Sequence, residues 1–400
     1  MLKILQTQDF MRDPTQVLAR FRAEGPLVSA KIPILGKVWL TTTQAATAHV
    51  LKNSSKFTTR KRDGMVVGMS WWMPRILTIL SANMLSADEP EHTRLRSIVD
   101  KAFHRGAVIN LQPRIESIAN DLSAKLDLTN EPADLLTGFA RPFPLAVICE
   151  LLGLPKEDHA NFMRWASGIT TVRGIPSFFV GIYRLRPLVK YIENRIAKVQ
   201  QGKAQEPGLI QSLVALRDEG DGLSDDELVA MIFLLLLAGH ETTTHLISNS
   251  MLAFFQNPDQ LALLKKEPGM IDLAVEECLR FTSPVQTAKP RYVQNDCMIE
   301  GMPVRAGELV LPFLAAANFD PTMFEAAETF DISRKPNRHI EFGTGIHFCL
   351  GHQLARHELK IALQTLLDDY QDLQLAVPES DVEWHSRFGL RSLKTLWVRG

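Results

Sequence analysis

The most informative stretch of this 400-residue chain is Phe342-Gly343-Thr344-Gly345-Ile346-His347-Phe348-Cys349-Leu350-Gly351. The glycines on either side of Thr344 allow a tight loop, because glycine adopts backbone angles that other residues resist. Residues 350–367 carry apolar side chains at helical spacing, so Cys349 is expected at the positive end of a helix dipole. That position favours thiolate over thiol. The stretch therefore predicts a sulfur that a tight loop and a helix hold as a thiolate.

Two other interpretations of the stretch are weaker. A lone cysteine is usually a small buried hydrophobe, and Gly-x-Gly also occurs in dinucleotide-binding loops. The dinucleotide interpretation needs a third glycine, where this chain has Phe348, and a preceding hydrophobic strand, which is missing. The full spacing Phe-Gly-x-Gly-x-His-x-Cys-x-Gly instead resembles the haem-binding loop of the cytochrome P450 superfamily.

This resemblance implies that Cys349 is the axial thiolate ligand of the iron in haem b. Phe342, Gly343, His347 and Gly351 would complete the cofactor loop, with His347 reaching a haem propionate. A thiolate ligand pushes electron density onto iron and so favours O–O bond cleavage.

Three residues outside the loop are implied in haem binding by the same resemblance. His92 and Arg96 lie four residues apart, just after the helix-start pattern Asp88-Glu89-Pro90-Glu91, and so share a helix face. A surface salt bridge is the usual explanation of such a pair, but the family holds haem propionates with a histidine and an arginine at this spacing. Arg291 occupies the position of a further propionate partner.

A long helix is predicted to begin at Ser224-Asp225-Asp226-Glu227, which has the residue types of a capping box, and to end near Phe255. It is apolar on nearly all sides, so it should run through the core.

The centre of this helix is Ala238-Gly239-His240-Glu241-Thr242-Thr243, where a buried acid carries a desolvation cost. The P450 family has a small residue, glycine, an acid and threonine in this order, to make room for dioxygen and to deliver protons to it. By resemblance, Ala238 and Gly239 border the cofactor, and Glu241 and Thr242 form the proton-delivery pair.

A zinc site at the same place is not expected, although the segment contains His240 and His245. Two zinc ligands on a helix are four residues apart, which puts them on one face. These histidines are five apart, about 140° from each other around the helix axis. Both are expected to pack or to support the site.

The substrate pocket expected by resemblance is lined from three segments. Leu234, Leu237 and Ala238 lie one or two turns before Thr242, and core packing is the alternative for each. The remaining lining residues are Val285, Thr287 and Phe388.

Glu277, Arg280 and Arg334 are implied to form a buried network that fixes the cysteine loop. On an exposed surface, a Glu–Arg pair three residues apart would contribute little to the stability of the fold. The family often has an arginine after Asn318, and this chain has Phe319 there, a departure whose consequence the sequence leaves open.

Composition favours one soluble domain covering residues 1–400. Hydrophobic residues make up 46% of the chain, with no linker or low-complexity tract. The net charge of -1 gives no pull toward nucleic acid or an anionic membrane. The longest apolar run, residues 231–239, is about half a membrane span, and residues 1–10 lack a signal-peptide pattern. Four scattered cysteines fit a reducing compartment, so a cytoplasmic protein is expected, and nothing in the sequence demands more than a monomer.

The expected fold is mainly α with small β-sheets. Residues 27–43 have the pattern of a β-hairpin around Gly36. Residues 108–202 are typical of helices with breaks near Pro142, Pro155, Pro176 and Pro187. In the cytochrome P450 fold, haem would lie between the long central helix and the helix after the cysteine loop.

The implied activity is that of a haem-thiolate monooxygenase, which hydroxylates or epoxidises a mostly apolar small molecule with O2 and two electrons. The chain has no flavin or iron–sulfur segment, so the electrons would come from NAD(P)H through a separate reductase and a ferredoxin-type donor. An acidic donor could dock on basic residues of two helices, with solvated surface charge as the alternative. These basic residues are Arg94, Lys101, Arg105, Arg356 and Lys360.

Two alternatives to this activity remain at this point. A peroxide-driven peroxygenase shares the fold, but such relatives typically replace the acid and alcohol that are present here as Glu241 and Thr242. A haem-thiolate sensor that only binds a ligand is less favoured for the same reason.

Overall fold

The structure is a computed structural model that describes residues 3–33, 35–61, 75–102, 105–128, 131–159, 161, 165, 175–203, 207–218 and 222–400. In these residues the chain is mainly helical with small sheets, as the sequence predicts. The α-helices are α1 (Gln8–Arg12), α2 (Thr15–Glu24), α3 (Gln44–Lys52), α4 (Arg75–Leu80), α5 (Glu91–Ala102), α6 (Arg105–Ser123), α7 (Pro142–Leu152), α8 (Ile175–Gln200), α9 (Leu209–Asp218), α10 (Asp225–Gln256), α11 (Pro258–Lys266), α12 (Ile271–Thr282), α13 (Leu314–Asn318) and α14 (His352–Asp369).

Short strands form three small sheets in the described part of the chain. The largest sheet has the strand order β1-β2-β8-β5-β3, and the others are β4-β10-β9 and β6-β7. The predicted hairpin is confirmed, with β1 and β2 antiparallel and Leu27 opposite Thr41. The strands are β1 (Leu27–Ile32), β2 (Gly36–Thr41), β3 (Phe57–Thr58), β4 (Ala133–Asp134), β5 (Arg291–Val293), β6 (Cys297–Ile299), β7 (Met302–Val304), β8 (Leu309–Leu311), β9 (Gln374–Leu375) and β10 (Trp397–Arg399).

The chain forms two compact units. The first comprises Met1–Gly68, Ala119–Ala140 and Thr242–Gly400, and it contains the described strands and α14. The second comprises Met69–Ile118 and Arg141–Glu241, and it is helical where described. Leu27, Val50, Phe57 and Val310 belong to a buried apolar cluster that holds the largest sheet of the first unit against α3.

The long helix α10 begins and ends where the sequence predicts. The Ser224 hydroxyl accepts a hydrogen bond from the Glu227 N–H at 3.3 Å, and the Glu227 carboxylate accepts one from the Ser224 N–H at 2.8 Å. This reciprocal pair is the predicted capping box. By length and composition alone α10 could cross a membrane, but 67% of its most apolar window is buried inside the protein, which is typical of a core helix.

The predicted helix break at Pro187 is wrong, because Pro187 lies inside α8. A proline removes one backbone hydrogen bond and usually kinks or breaks a helix. Pro187 is exposed, and α8 continues through it to Gln200.

Candidate functional site

The cysteine loop (residues 342–351) is a series of tight turns that ends immediately before α14, with Cys349 three residues before the helix. The Cys349 N–H donates to the Phe342 carbonyl at 3.0 Å, and the Phe348 N–H donates to the Gly345 carbonyl at 3.0 Å. Gly345 has φ of 76°, and a Cβ there would lie 2.2 Å from the carbonyl oxygen of Leu51. Only glycine is compatible with this close approach. The loop thus places a half-buried thiol beside the N-terminus of α14.

The other three thiols are in environments that disfavour the thiolate. Burial raises the pKa of Cys149 and of Cys278 to about 12, and it also raises the pKa of Cys297. Cys149 and Cys278 are therefore protonated at neutral pH and act as packing residues.

A polar cluster around Glu276 supports Phe342 at the start of the loop. Arg356 of α14 makes two bonds to the Glu276 carboxylate, with its Nε 2.5 Å and its Nη2 2.8 Å from the two oxygens. His339 Nε2 lies 3.0 Å from the same carboxylate. The Arg356 guanidinium also lies 4.5 Å from the centre of the Phe342 ring, a cation–π distance.

This cluster is not among the predicted site residues. The one available signal is the position of Arg356, four residues after His352 on the same face of the predicted helix. Nothing in the sequence pairs it with Glu276, because the two residues lie 80 positions apart and meet through the packing of α12 against α14.

We expect replacement of Glu276 by glutamine to remove part of the acid sensitivity of the fold. Partial burial alone would raise the pKa of Glu276, but the bonds from Arg356 and His339 lower it to about 2, against an ordinary value of 4.5. A lowered pKa gives stability that is present above about pH 5 and is lost as pH falls toward 2. Urea unfolding between pH 7 and pH 2.5 should show that wild type loses up to about 3 kcal/mol more than Glu276→Gln over this range. Parallel pH profiles would contradict the assignment.

The predicted residues Glu277, Arg280 and Arg334 are joined in one buried network. The Glu277 carboxylate is fully buried and accepts two bonds from Arg280, at 2.6 and 2.8 Å. Arg334 Nε lies 3.2 Å from it, and the Asp331 N–H and the Asn337 amide donate to it at 2.9 Å each. Every lone-pair direction of the carboxylate is thus used, as a buried charge requires.

Arg280 also fixes the chain that leads to the cysteine loop. Its guanidinium donates to the carbonyls of Asn318, Ala327 and Thr329 at 2.7 to 3.1 Å. Phe319, the departure from the family pattern, is buried with its ring centre 5.6 Å from this guanidinium. The Phe319 ring therefore packs against the buried network of Glu277, Arg280 and Arg334.

The four predicted propionate partners lie on three separate parts of the chain, two of them on α5. In the second unit, His92 is buried and Arg96 is partly buried on α5, where Arg96 also lies 3.2 Å from Asp100. In the first unit, Arg291 is buried at the start of β5 and His347 is half-buried in the cysteine loop.

One face of α10 is left uncovered in the middle of an otherwise buried helix. Ala238 is exposed, and Leu234, Leu237, Glu241 and Thr242 are partly exposed. These residues follow the spacing i, i+3, i+4, i+7 and i+8, so they form one stripe. The expectation that Glu241 is buried is wrong, because it points along this stripe, and the buried positions are instead those of Thr243 and Thr244.

His240 and His245 are both buried, as expected for packing residues. His240 Nδ1 lies 2.9 Å from the Leu236 carbonyl, and burial lowers the pKa of His240, so its imidazole is neutral and donates this bond. Within the described residues, no group of three or more side chains could hold a metal ion in the manner of zinc.

Gly239 lies where α10 packs against α7. A Cβ at this position would lie 2.9 Å from Cδ1 of Ile148, closer than real Cβ atoms approach. The absent side chain therefore allows this helix contact, and room for dioxygen at Gly239 stays a prediction.

The predicted pocket residues Val285, Thr287 and Phe388 meet in the first unit. The pocket segment (residues 285–287) is extended, with Val285 and Thr287 partly exposed and Gln286 buried between them. Val285 bridges to Leu390, and the Gln286 N–H donates to the Gly389 carbonyl at 2.9 Å. The turn that carries Phe388 therefore lies against this segment.

The predicted docking cations are mostly paired with acids. Arg94 bonds to Glu91 and Glu227, and Lys360 Nζ lies 2.7 Å from Asp272. Arg356 is occupied by Glu276, and the side chain of Arg105 lies outside the described residues. The charges of Arg94, Arg356 and Lys360 are thus partly neutralised by acids of the protein itself.

These groups fit a haem in their chemistry. The cysteine loop supplies a thiol that could bind iron, and the buried imidazole and guanidinium groups suit carboxylates. The mainly apolar stripe of α10 suits a large flat hydrocarbon ring.

Comparisons with known proteins agree with this chemistry. The cytochrome P450 family profile matches residues 186–395. The polyketide biosynthesis cytochrome P450 PksS of Bacillus subtilis is 36% identical over 98% of this chain and 96% of that protein. Its solved structure has a TM-score of 0.89 over 98% of both chains. The vitamin D(3) 25-hydroxylase of Pseudonocardia autotrophica is 38% identical over 97% of this chain and 94% of that protein.

Proposed function

The chain belongs to the cytochrome P450 family of monooxygenases and hydroxylases, and on this premise we propose that it oxidises a mostly apolar small molecule with O2. In this proposal Cys349 would supply the thiolate that holds the iron of haem b. The observation that carries it is the half-buried Cys349 thiol in a glycine-bent loop beside the N-terminus of α14. Haem with a thiolate ligand supplies the activation of dioxygen.

The protein's residues would hold the cofactor from several sides. Phe342, Gly343 and Gly351 shape the loop around the sulfur. The propionate partners would be His92, Arg96, Arg291 and His347, whose charged or polar ends suit carboxylates. Ala238 and Gly239 of α10 would border the cofactor.

Glu241 and Thr242 would deliver protons at the site. Both are partly exposed on the stripe of α10, so they can contact water and a bound molecule at once. The Thr242 hydroxyl would donate a proton, and the Glu241 carboxylate would bring the next proton from solvent, so the two groups form a relay.

The substrate would rest against Leu234 and Leu237 of α10 and against the pocket segment with Phe388. These side chains are mostly apolar, which supports an apolar substrate. The names of the relatives agree, because one acts in polyketide biosynthesis and another hydroxylates vitamin D(3).

The remaining parts of the proposal concern the setting of the reaction. Electrons would come from NAD(P)H through a reductase and a ferredoxin-type protein. We also propose that residues 1–400 form one catalytic domain, since the relatives match 98% of the chain, and that the protein is a soluble, cytoplasmic monomer.

We expect Glu241→Gln and Thr242→Ala each to lower product formation by about 100-fold, because general acid–base groups typically contribute that much. The assay would supply NADPH, ferredoxin reductase, ferredoxin and O2 to a medium-chain fatty acid, a terpenoid and a steroid as probe substrates. Probes that shift the ferric spin state would be chosen first. Thr244→Val, on the buried face of α10, is the matched control and should retain activity.

The same assay separates the alternatives. Turnover with hydrogen peroxide alone, and none with ferredoxin and O2, would replace the proposal with a peroxygenase. Spin-state shifts without any product from either system would indicate a sensor.

A further inference from the structure

Glu341 is a buried acid that connects the cysteine loop to the pocket segment. It immediately precedes Phe342, and only 6% of it is exposed. One carboxylate oxygen accepts the Val285 N–H at 2.9 Å, and the other accepts the Asn318 side-chain amide at 2.9 Å. Val285 is 56 residues away in sequence, so the bond joins two separate parts of the first unit.

The partners of Glu341 are themselves held in place. The Asn318 side-chain oxygen accepts the Ile340 N–H at 2.9 Å, and its amide also donates to the Ser283 hydroxyl at 3.0 Å. That hydroxyl donates to the Arg280 carbonyl at 2.9 Å. Asn318 therefore bonds both to Ile340, the residue before Glu341, and to Ser283 at the end of α12.

The pocket segment depends on this link because of where it begins. Ser283 ends α12 with φ of 38°, a left-handed conformation that is uncommon for residues other than glycine. Pro284 has no N–H. The N–H of Val285 is thus the first amide of the segment that can be bonded, and Glu341 accepts it.

On its other side the segment is bonded mainly through its backbone, and the Gln286 side-chain amide also donates to Met11 Sδ at 3.9 Å. The Arg391 N–H donates to the Pro284 carbonyl, and the Ala315 N–H donates to the Gln286 carbonyl, at 2.9 and 3.1 Å. Glu341 supplies the side-chain contact that ties this segment to the cysteine loop. The burial of the carboxyl also raises the pKa of Glu341 well above its ordinary value, and the Val285 N–H and the groups of Ser283 and Asn318 oppose that rise.

We propose that Glu341 is a positioning residue that sets the place of the pocket segment relative to the cysteine loop, and thereby the shape of the substrate pocket. The inference rests on the proposed function, since it takes Val285 and Thr287 as a wall of that pocket. Without Glu341, the Val285 N–H loses its acceptor and the segment takes up other positions. Ligand affinity then falls in proportion to the fraction of molecules with the wall in place.

The test compares two azoles on the purified haem protein by optical titration. Imidazole is small and needs only the iron, whereas 4-phenylimidazole also needs room against the wall. Glu341→Ala should raise the Kd of 4-phenylimidazole by about tenfold, while the Kd of imidazole stays within about twofold of the wild-type value. Asp320→Asn is the matched control, because Asp320 is another buried carboxylate that accepts a distant backbone N–H, that of Gln44, at 2.8 Å. It should leave the affinity ratio of the two azoles unchanged.

Glu341→Gln keeps an oxygen for the Val285 N–H and carries the test if the alanine variant does not retain haem. It should raise the Kd of 4-phenylimidazole by about threefold relative to that of imidazole, because the glutamine amide and the Asn318 amide are both donors and cannot bond to each other there. An unchanged ratio in the folded variants, or an equal loss for both azoles, would overturn the inference. A wild-type protein that shows no haem band and no response to imidazole would instead remove the proposed function itself.

Discussion

Replacing Cys349 with serine is expected to abolish the strongly red-shifted Soret band of the dithionite-reduced protein under carbon monoxide, and monooxygenase turnover with it. The hydroxyl of serine is hardly ionised at neutral pH, whereas a cysteine binds metal as the thiolate. We expect turnover to fall by at least about 1000-fold, because the reactivity of bound haem depends on its axial ligand.

The fold should survive this change. Serine is close in size to cysteine, and the bond from the residue 349 N–H to the Phe342 carbonyl does not involve the side chain. Cys297→Ser, at a partly buried thiol of the β6–β7 hairpin, is the matched control and should keep both the band and the turnover. A normal red-shifted band in Cys349→Ser would refute the assignment of the ligand.

Replacing Glu277 with alanine is expected to destabilise the protein by about 3–5 kcal/mol and to leave haem poorly retained. The carboxylate is fully buried, and its removal leaves two guanidinium groups, those of Arg280 and Arg334, without their counter-charge. It also removes the acceptor of the Asp331 N–H and of the Asn337 amide. Urea unfolding and the ratio of haem absorbance to protein absorbance measure the two effects.

An exposed acid provides the control for this variant. Glu383 lies 3.0 Å from Lys394, with both side chains well exposed, so Glu383→Ala should cost less than about 1 kcal/mol. Full haem content together with wild-type stability in Glu277→Ala would mean that the network does not support the loop. Cys349→Ser and Glu277→Ala should lose function for different reasons. Cys349→Ser should stay folded but lack the thiolate ligand, whereas Glu277→Ala should keep the thiolate ligand in a less stable fold.

Local patterns were readable from the sequence where the contacts are local. The capping box of α10, the hairpin of β1 and β2, and the helix after Cys349 all depend on residues a few positions apart, so spacing alone indicates them. The break predicted at Pro187 is wrong because a proline removes one helix hydrogen bond without always ending the helix.

By itself the sequence determined the family, and it singled out Cys349 as the proposed ligand together with the residue types around it, because a tight loop allows few residues at each position. Only the tertiary structure decided which side chains meet. Glu276 and Arg356 are 80 positions apart, and Glu341 and Val285 are 56 apart, and no local spacing relates such pairs. The physical reason is that a buried carboxylate needs donors from whatever segment packs beside it, and which segment that is follows from the packing of the whole unit.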